Sequence, residues 1–491
     1  MSRRWALASC CALGAAAWLA SCGTTLPEFP RRSPLGAIEP SGTAAVVAPV
    51  APDRLGPSYA SVQARRAVGE RVADLIERDF YDPFLNGVDW IAARERAVER
   101  VAAAQDDQAV YAALKDLAAA VHDTHTVVLT PREVADGRAF VSLRTGAQLA
   151  AVDDGIAVVD VEAGSPAQRA GVRRGDAVLA LDGHRLDARF FAAPPPPDPD
   201  DVRSAPAEPG EAARWRRMRA VAALLQRRPD AVPAPRTFEL ASADGEVRRV
   251  TLAAERSERP FHVGSGRLDD GIAWVRIDRY QAQLRPEIAR ALDAAAAAPA
   301  LVLDLRGNGG GSFDLYRDVA GRLMPERRLA LYLLRRRAPG AKQTTVTELR
   351  LGGARDALGQ PLAILIDART ASAAELTAVT LAETRGALLV GQASCGCAVG
   401  VQTEYVLPDG GALRVAEIGF RSTRGRRIEG EPLAPQIVAE PTLQDIRTGR
   451  DVALDEAVRL LRARLAGAVA DGRRGGTASA DGVSAAGAKI P

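Results

Sequence analysis

From Gly271 onward, apolar strand-like runs alternate with helical ones, and this alternation restricts that part of the chain to an α/β core. Ile272 to Ile277 reads as a strand, Pro286 to Ala297 as a helix, and Leu301-Val302-Leu303-Asp304-Leu305 as a buried strand. The buried strand runs into Gly307-Asn308-Gly309-Gly310-Gly311. A loop with so few Cβ atoms lets its backbone approach another group closely.

A further apolar run, Pro361 to Ile366, leads through Thr370-Ala371-Ser372-Ala373-Ala374-Glu375 into a helical pattern from Leu376 to Ala382. A serine at such a turn exposes its hydroxyl beside backbone N–H groups at a helix N-terminus, as nucleophiles of acyl-transfer enzymes are often mounted. The plain reading is a helix cap. Glu375 in the first helical turn is expected to satisfy helix N–H groups rather than to react.

With 491 residues the chain has room for several domains. Its apolar fraction of 47% and charged fraction of 25% are those of an ordinary soluble protein, and a net charge of +3 argues against a dedicated nucleic-acid surface. Only Lys115, Lys342 and Lys489 are lysines, a scarcity that constrains the choice of base below.

Arg3 and Arg4, the apolar run Trp5 to Leu19, and Leu19-Ala20-Ser21-Cys22 have the layout of a signal peptide ending in a lipobox. Cleavage before Cys22 would leave a diacylglycerol anchor on its thiol; an ordinary signal peptide is the alternative. Gly23 after the cysteine favours the periplasmic face of an outer membrane. With Cys10 and Cys11 removed and Cys22 lipidated, only Cys395 and Cys397 stay in the folded body. Whether they pair is open, and two cysteines are too few for a zinc site.

Residues 22–58 are rich in Pro, Ala, Gly and Ser and read as a flexible tether. Helix-spaced apolar residues follow: Val68, Val72, Leu75 and Ile76, then Trp90, Ile91, Val98 and Val101, then Tyr111, Leu114 and Leu117. Asp154 to Val159, Gly164-Ser165-Pro166 to Val172, and Arg174-Gly175-Asp176 to Gly183 together resemble a bacterial PDZ domain. The resemblance implies capture of extended peptides by strand addition, with the N–H groups near Gly155 and Ile156 receiving a free carboxylate. A Pro- and Asp-rich loop and the basic stretch Arg214 to Gln226 interrupt it, and the stretch would replace the helix beside the peptide groove.

The PDZ-like string, the Leu301 to Gly311 segment and Thr370 to Glu375, in that order, resemble the tail-specific or C-terminal processing serine peptidases. Asp123-Thr124-His125-Thr126, Leu407-Pro408-Asp409-Gly410 and Glu429 to Ile437 extend the resemblance over about residues 60–460. It implies a multidomain α+β protein. Residues 1–21 would be the signal peptide, 22–58 the tether, and 59–135 a helical domain. Residues 136–256 would be a PDZ domain with an insertion near 190–235, and 257–465 a crotonase-like ββα-type peptidase core. Residues 466–491 would be a disordered tail.

The best-known branch of that family uses a Ser–Lys dyad. Here Cys397 stands where the lysine should be, and no lysine occurs between Lys342 and Lys489, so that dyad is excluded. Cys397→Ala is then expected to be nearly harmless. His125 resembles the general base of the tricorn-core and chlamydial-protease branch, and Glu429 its orienting acid, with His122 and Glu431 as rivals. Ser372, His125 and Glu429 would form the triad. Gly309, Gly310 and the Ala373 N–H would supply the oxyanion hole.

No cofactor or metal is implied. Partners would be a polypeptide substrate with a free C-terminus and, through the lipid, a membrane. A catalytically silent peptide-binding scaffold of the same fold is the main competing reading, and an apolar-ligand carrier is a second.

Overall fold

The computed structural model describes residues 31–32, 54–139, 141–152, 155–186, 235–258, 261–268 and 270–475. The signal peptide, Cys22 and the insertion near 190–235 with its Arg214–Gln226 stretch lie outside the described residues.

The α/β core is a six-stranded sheet in the order 263–267, 273–277, 301–304, 362–366, 388–391, 437–438. All its pairings are parallel except the first. Both faces are covered, which is why its central strands read as unbroken apolar runs rather than alternating ones. Leu301, Leu303, Leu362, Ile364 and Ile366 point into a core shared with the helices Arg285–Ala295, Phe313–Arg322 and Ala373–Arg385. Val302, Ala363 and Leu365 point the other way, against Ala453, Ala457 and Leu461. Those three belong to the helix Val452–Gly475, which continues past residue 465, where the sequence reading places a disordered tail. Buried tyrosine hydroxyls fix Ala373–Arg385 from beneath, Tyr280 to Thr377 and Tyr316 to Thr380, each at 3.0 Å.

The N-terminal helices Val62–Asp79, Trp90–Ala103 and Asp107–Ala119 begin at Ser61, Asp89 and Asp106. Each of these caps accepts an N–H from the first turn, as orphan helix donors require. The helices do not close on themselves. Val72, Ile76, Leu114 and Leu117 share one core with Val399, Tyr405, Leu413 and Val415, from far later in the chain. The reason is the hairpin Val399–Val406 and Ala412–Arg421, which needs cover for its apolar face, and Val127–Leu129 pairs with its second strand. The separate helical domain expected over 59–135 is therefore one layer of a larger body. Arg31 and Arg32, inside the expected tether, pair with Tyr405 and Glu404 at the hairpin's edge.

The described strands from Ala147 to Leu252 form an antiparallel sheet in the order 147–152, 155–161, 177–181, 236–241, 247–252. It has its own core around Val158, Val178, Leu181, Phe238 and Leu240. The chain enters and leaves this unit through paired strands, Val141–Arg144 against Glu255–Glu258. Ile156 pairs with Ala151 on one side and Val178 on the other. Strand addition cannot occur along this interior strand, which has no free edge to offer. The end strand of this sheet is Ala147–Val152.

Candidate active site

Ser372 ends the turn that follows the buried strand Leu362–Ile366, and several bonds define that turn. Thr370 Oγ1 donates to Leu305 O (2.9 Å) and accepts the Asp367 N–H (3.0 Å), while the Ala371 N–H donates to Asn308 O (2.9 Å). Ser372 itself adopts φ 55° and ψ −125°. A simple N-cap has extended backbone, so this is not an ordinary cap. A side chain held at positive φ costs on the order of 1–3 kcal/mol, and it persists only where its surroundings over-determine it.

The Ser372 N–H donates to Cys397 O at 2.9 Å and to Glu375 Oε2 at 3.1 Å. The Glu375 side chain also accepts the N–H groups of Gly396 (2.7 Å) and Cys397 (2.9 Å) and the Ser394 hydroxyl. Burial pushes its carboxyl up, and these hydrogen bonds oppose that. Glu375 is a strut between the helix and the 394–397 loop. Cys395 and Cys397 are disulfide-bonded in that loop.

The glycine loop lies against the serine. A Cβ on Gly310, at φ 83°, would sit 2.6 Å from Ser372 Cβ and 2.9 Å from Ala373 N, so only glycine fits. Of the expected oxyanion donors, Gly310 is corrected, because its N–H is already taken by Asn308 Oδ1 at 2.8 Å. Asn308 is fully buried and is itself held by Ile277 O at 2.9 Å. The N–H groups of Gly309 and Ala373 have no acceptor among the described residues. Arg279 lies over this loop, since a Cβ on Gly309 would collide with its Nη1.

His125 comes from the turn before Val127–Leu129. Asp123 Oδ1 accepts the N–H groups of His125 (2.5 Å) and Thr126 (2.6 Å), and Thr126 Oγ1 accepts the Ala416 N–H at 3.1 Å, fastening the turn to the hairpin. The imidazole Nδ1 lies 2.7 Å from Thr124 Oγ1. Thr124 in turn donates its N–H to Glu429 Oε1 (2.8 Å) and its hydroxyl to Glu429 Oε2 (3.2 Å). The acid therefore reaches the histidine through a hydroxyl, not directly.

Because Thr124 gives its hydrogen to Glu429, its oxygen is left to accept from Nδ1–H. This leaves Nε2 as the ring's acceptor. Burial holds His125 below the usual histidine range against the opposing charge of Asp123, with Arg279 and Arg414 adding to the depression. Glu429 is pushed up to about 7, mainly by burial and then by the Asp123 charge, while its bonds from Thr124 and Ala398 pull it down.

The rivals fall away on position. His122, His184 and His262 are exposed, and Glu431 is exposed and faces Arg426. Glu429 is 3% exposed. Two groups result: Glu429, Thr124 and His125 in one hydrogen-bonded chain, and Ser372, Gly309 and Ala373 in the other. No hydrogen bond joins the imidazole to the serine among the described residues. The two groups meet through the 394–397 loop, whose Gly396 O accepts the Gly430 N–H at 2.8 Å while Cys397 O holds Ser372. Such bonds are often long in free enzymes and tighten on substrate. Sequence reasoning missed Thr124, although a hydroxyl residue directly before a candidate base was there to be weighed.

A strained serine at a strand-to-helix turn, free backbone donors beside it and a half-buried histidine on a hydroxyl–carboxylate chain are the parts that serine hydrolysis requires. Residues 271–439 match the family model for peptidase family S41, and the chain is a serine-type peptidase. It is similar to a carboxyl-terminal-processing protease of Synechocystis sp., 23% identical over 401 residues, spanning 79% of this chain and 84% of the relative. It is 26% identical over 385 residues to the chloroplastic carboxyl-terminal-processing peptidase 2 of Arabidopsis thaliana, spanning 73% and 66% of the two chains. The structure of mature CPAF complexed with lactacystin shares the fold, with a TM-score of 0.58 at 14% identity, covering 83% of this chain and 98% of the other.

Proposed function

We propose that this chain is an endopeptidase acting on extended polypeptides, with Ser372 as nucleophile, His125 as base and Glu429 acting through Thr124. The observation that carries this reading is the Glu429–Thr124–His125 chain, because it leaves Nε2 as the proton acceptor. Ser372 Oγ attacks the scissile carbonyl while Nε2 takes its proton. The oxyanion receives the Gly309 and Ala373 N–H groups. Nε2–H then protonates the leaving amine, and water repeats the cycle on the acyl-enzyme. The silent-scaffold reading gives no reason for Ser372 to be held at positive φ.

A fluorophosphonate probe tests this without knowledge of the substrate. The folded wild type should be labelled at Ser372. A folded protein that stays unlabelled would leave only the scaffold.

The sheet over 147–252 is proposed as a PDZ-type module that captures substrate at the Ala147–Val152 edge, including free C-termini. Gln148 on that edge accepts a bond from Arg369 at 3.1 Å, three residues before the nucleophile. A captured strand would therefore lie close to the catalytic turn.

The lipid anchor and a periplasm-facing outer-membrane site are proposed from Leu19-Ala20-Ser21-Cys22. Among the described residues no helix is long and apolar enough to cross a membrane. Cys22→Ala should release the protein from membranes and abolish incorporation of labelled fatty acid. An unchanged membrane fraction together with no acyl mass on the wild type would overturn the lipobox.

A further inference from the structure

The Cys395–Cys397 disulfide occupies the place in the chain where the dyad branch would carry its lysine, yet no step above uses it. Its loop touches both the serine turn and the turn that carries Glu429. The Cys395 N–H donates to Thr370 O at 2.9 Å, and Cys397 O accepts the Ser372 N–H at 2.9 Å. The Gly396 and Cys397 N–H groups hold Glu375. On the far side Gly396 O accepts the Gly430 N–H, and a Cβ on Gly396 would strike Pro432 N at 2.7 Å, so the loop is packed onto the turn that carries Glu429.

We infer that the Cys395–Cys397 bridge is a redox-reversible positioning device, which holds Ser372 in its reactive backbone conformation when oxidised and releases it when reduced. The inference rests on the serine-peptidase reading above. Three residues joined through a sulfur–sulfur bond form a small ring, and that ring fixes where the Cys397 carbonyl and the Gly396 and Cys397 N–H groups point. Ser372 stands at φ 55° because those groups hold it there. Without the bond the loop gains torsional freedom, and the serine has an unstrained backbone to relax into. Cys397 is 8% exposed whereas Cys395 is half-buried, so Cys395 Sγ is the sulfur that an incoming thiolate can reach.

The chemistry balances with a dithiol as reductant. Its first thiolate attacks Cys395 Sγ and expels the Cys397 thiolate; its second thiol then displaces Cys395 from the mixed disulfide. The protein gains two electrons and two protons as two thiols, and the reagent leaves as a cyclic disulfide. Reoxidation reverses both steps. The substitution Cys397→Ala, harmless if that residue only fills the place of an unused lysine, is on this view damaging.

The test compares fluorophosphonate labelling of Ser372 in the intact wild type before dithiothreitol, after it, and after reoxidation, with alkylation mapped to Cys395 and Cys397 by mass spectrometry. The maximal labelling rate should fall at least tenfold on reduction and recover on reoxidation. The probe concentration giving half-maximal rate should barely move, since no substrate-contacting surface is removed. The Cys395→Ser/Cys397→Ser variant should label at the slow rate with or without dithiothreitol. The wild-type comparison needs no variant, so a failure of that variant to fold leaves the test intact. Equal labelling rates for protein shown to be oxidised and protein shown to be reduced would overturn the inference while leaving the peptidase reading standing. So would two free thiols that no disulfide oxidant can pair. No labelling in either state would overturn both.

Discussion

Ser372→Ala and His125→Ala are each expected to lower turnover on an unstructured polypeptide such as casein by on the order of 10⁴-fold or more. The double variant should be little worse than either alone. Nucleophile and base act as one unit, so removing the second member of a broken pair takes away almost nothing further. His122→Ala is the internal control, since that residue is exposed and three positions from the base. It should retain near-wild-type turnover. A dead His122→Ala beside an active His125→Ala would move the base to His122. Full activity in Ser372→Ala would remove this chain from serine catalysis altogether. All four proteins should melt within a few degrees of one another, because neither Ser372 nor His125 is among the fully buried core side chains.

The parts of the site legible in the sequence were those set by local rules. The strand-to-helix turn at Ser372 and the Gly307–Gly311 loop announce themselves because φ above zero and close backbone approach leave few choices of residue. The buried parallel strands were equally plain, since cover on both faces demands unbroken apolar runs. What could not be read was pairing at long range. Nothing in residues 59–120 says that their apolar stripes will meet the hairpin 399–421, because an amphipathic helix records that it has a partner and not which one. The hydroxyl between acid and base was hidden for the same reason: Thr124 and Glu429 lie 305 positions apart in the chain. The edge open to an added strand was hidden too, because strand order is a property of the finished sheet. Gly310 failed as an oxyanion donor because whether an N–H is free depends on Asn308, whose side chain folds back on the loop.

Thr124→Val should lower turnover by roughly 10- to 100-fold, the scale of one hydrogen bond to a charged group lost. It should also change the pH profile, which a merely structural substitution would not do. In the wild type the rise in activity from the acid side should be centred near pH 7, where Glu429 gives up its proton. Below that pH the carboxyl can donate to Thr124 Oγ1, and the Thr124 hydrogen is then free to turn toward His125 Nδ1. The neutral ring would be driven to carry its proton on Nε2, the atom that must accept one from Ser372. Above it, the ionised carboxylate takes the Thr124 hydrogen, Nδ1 keeps its proton, and Nε2 is open. His125 by itself would place the rise lower, below the ordinary histidine value of 6.5, because burial favours its neutral form. Valine cuts the acid out of the relay, so the residual activity should rise below pH 6.5 and report the histidine alone. Thr124→Ser keeps the hydroxyl and should restore both the rate and the higher midpoint. A valine variant with the wild-type rate and a midpoint still near 7 would show that Glu429 governs the base by some route other than Thr124.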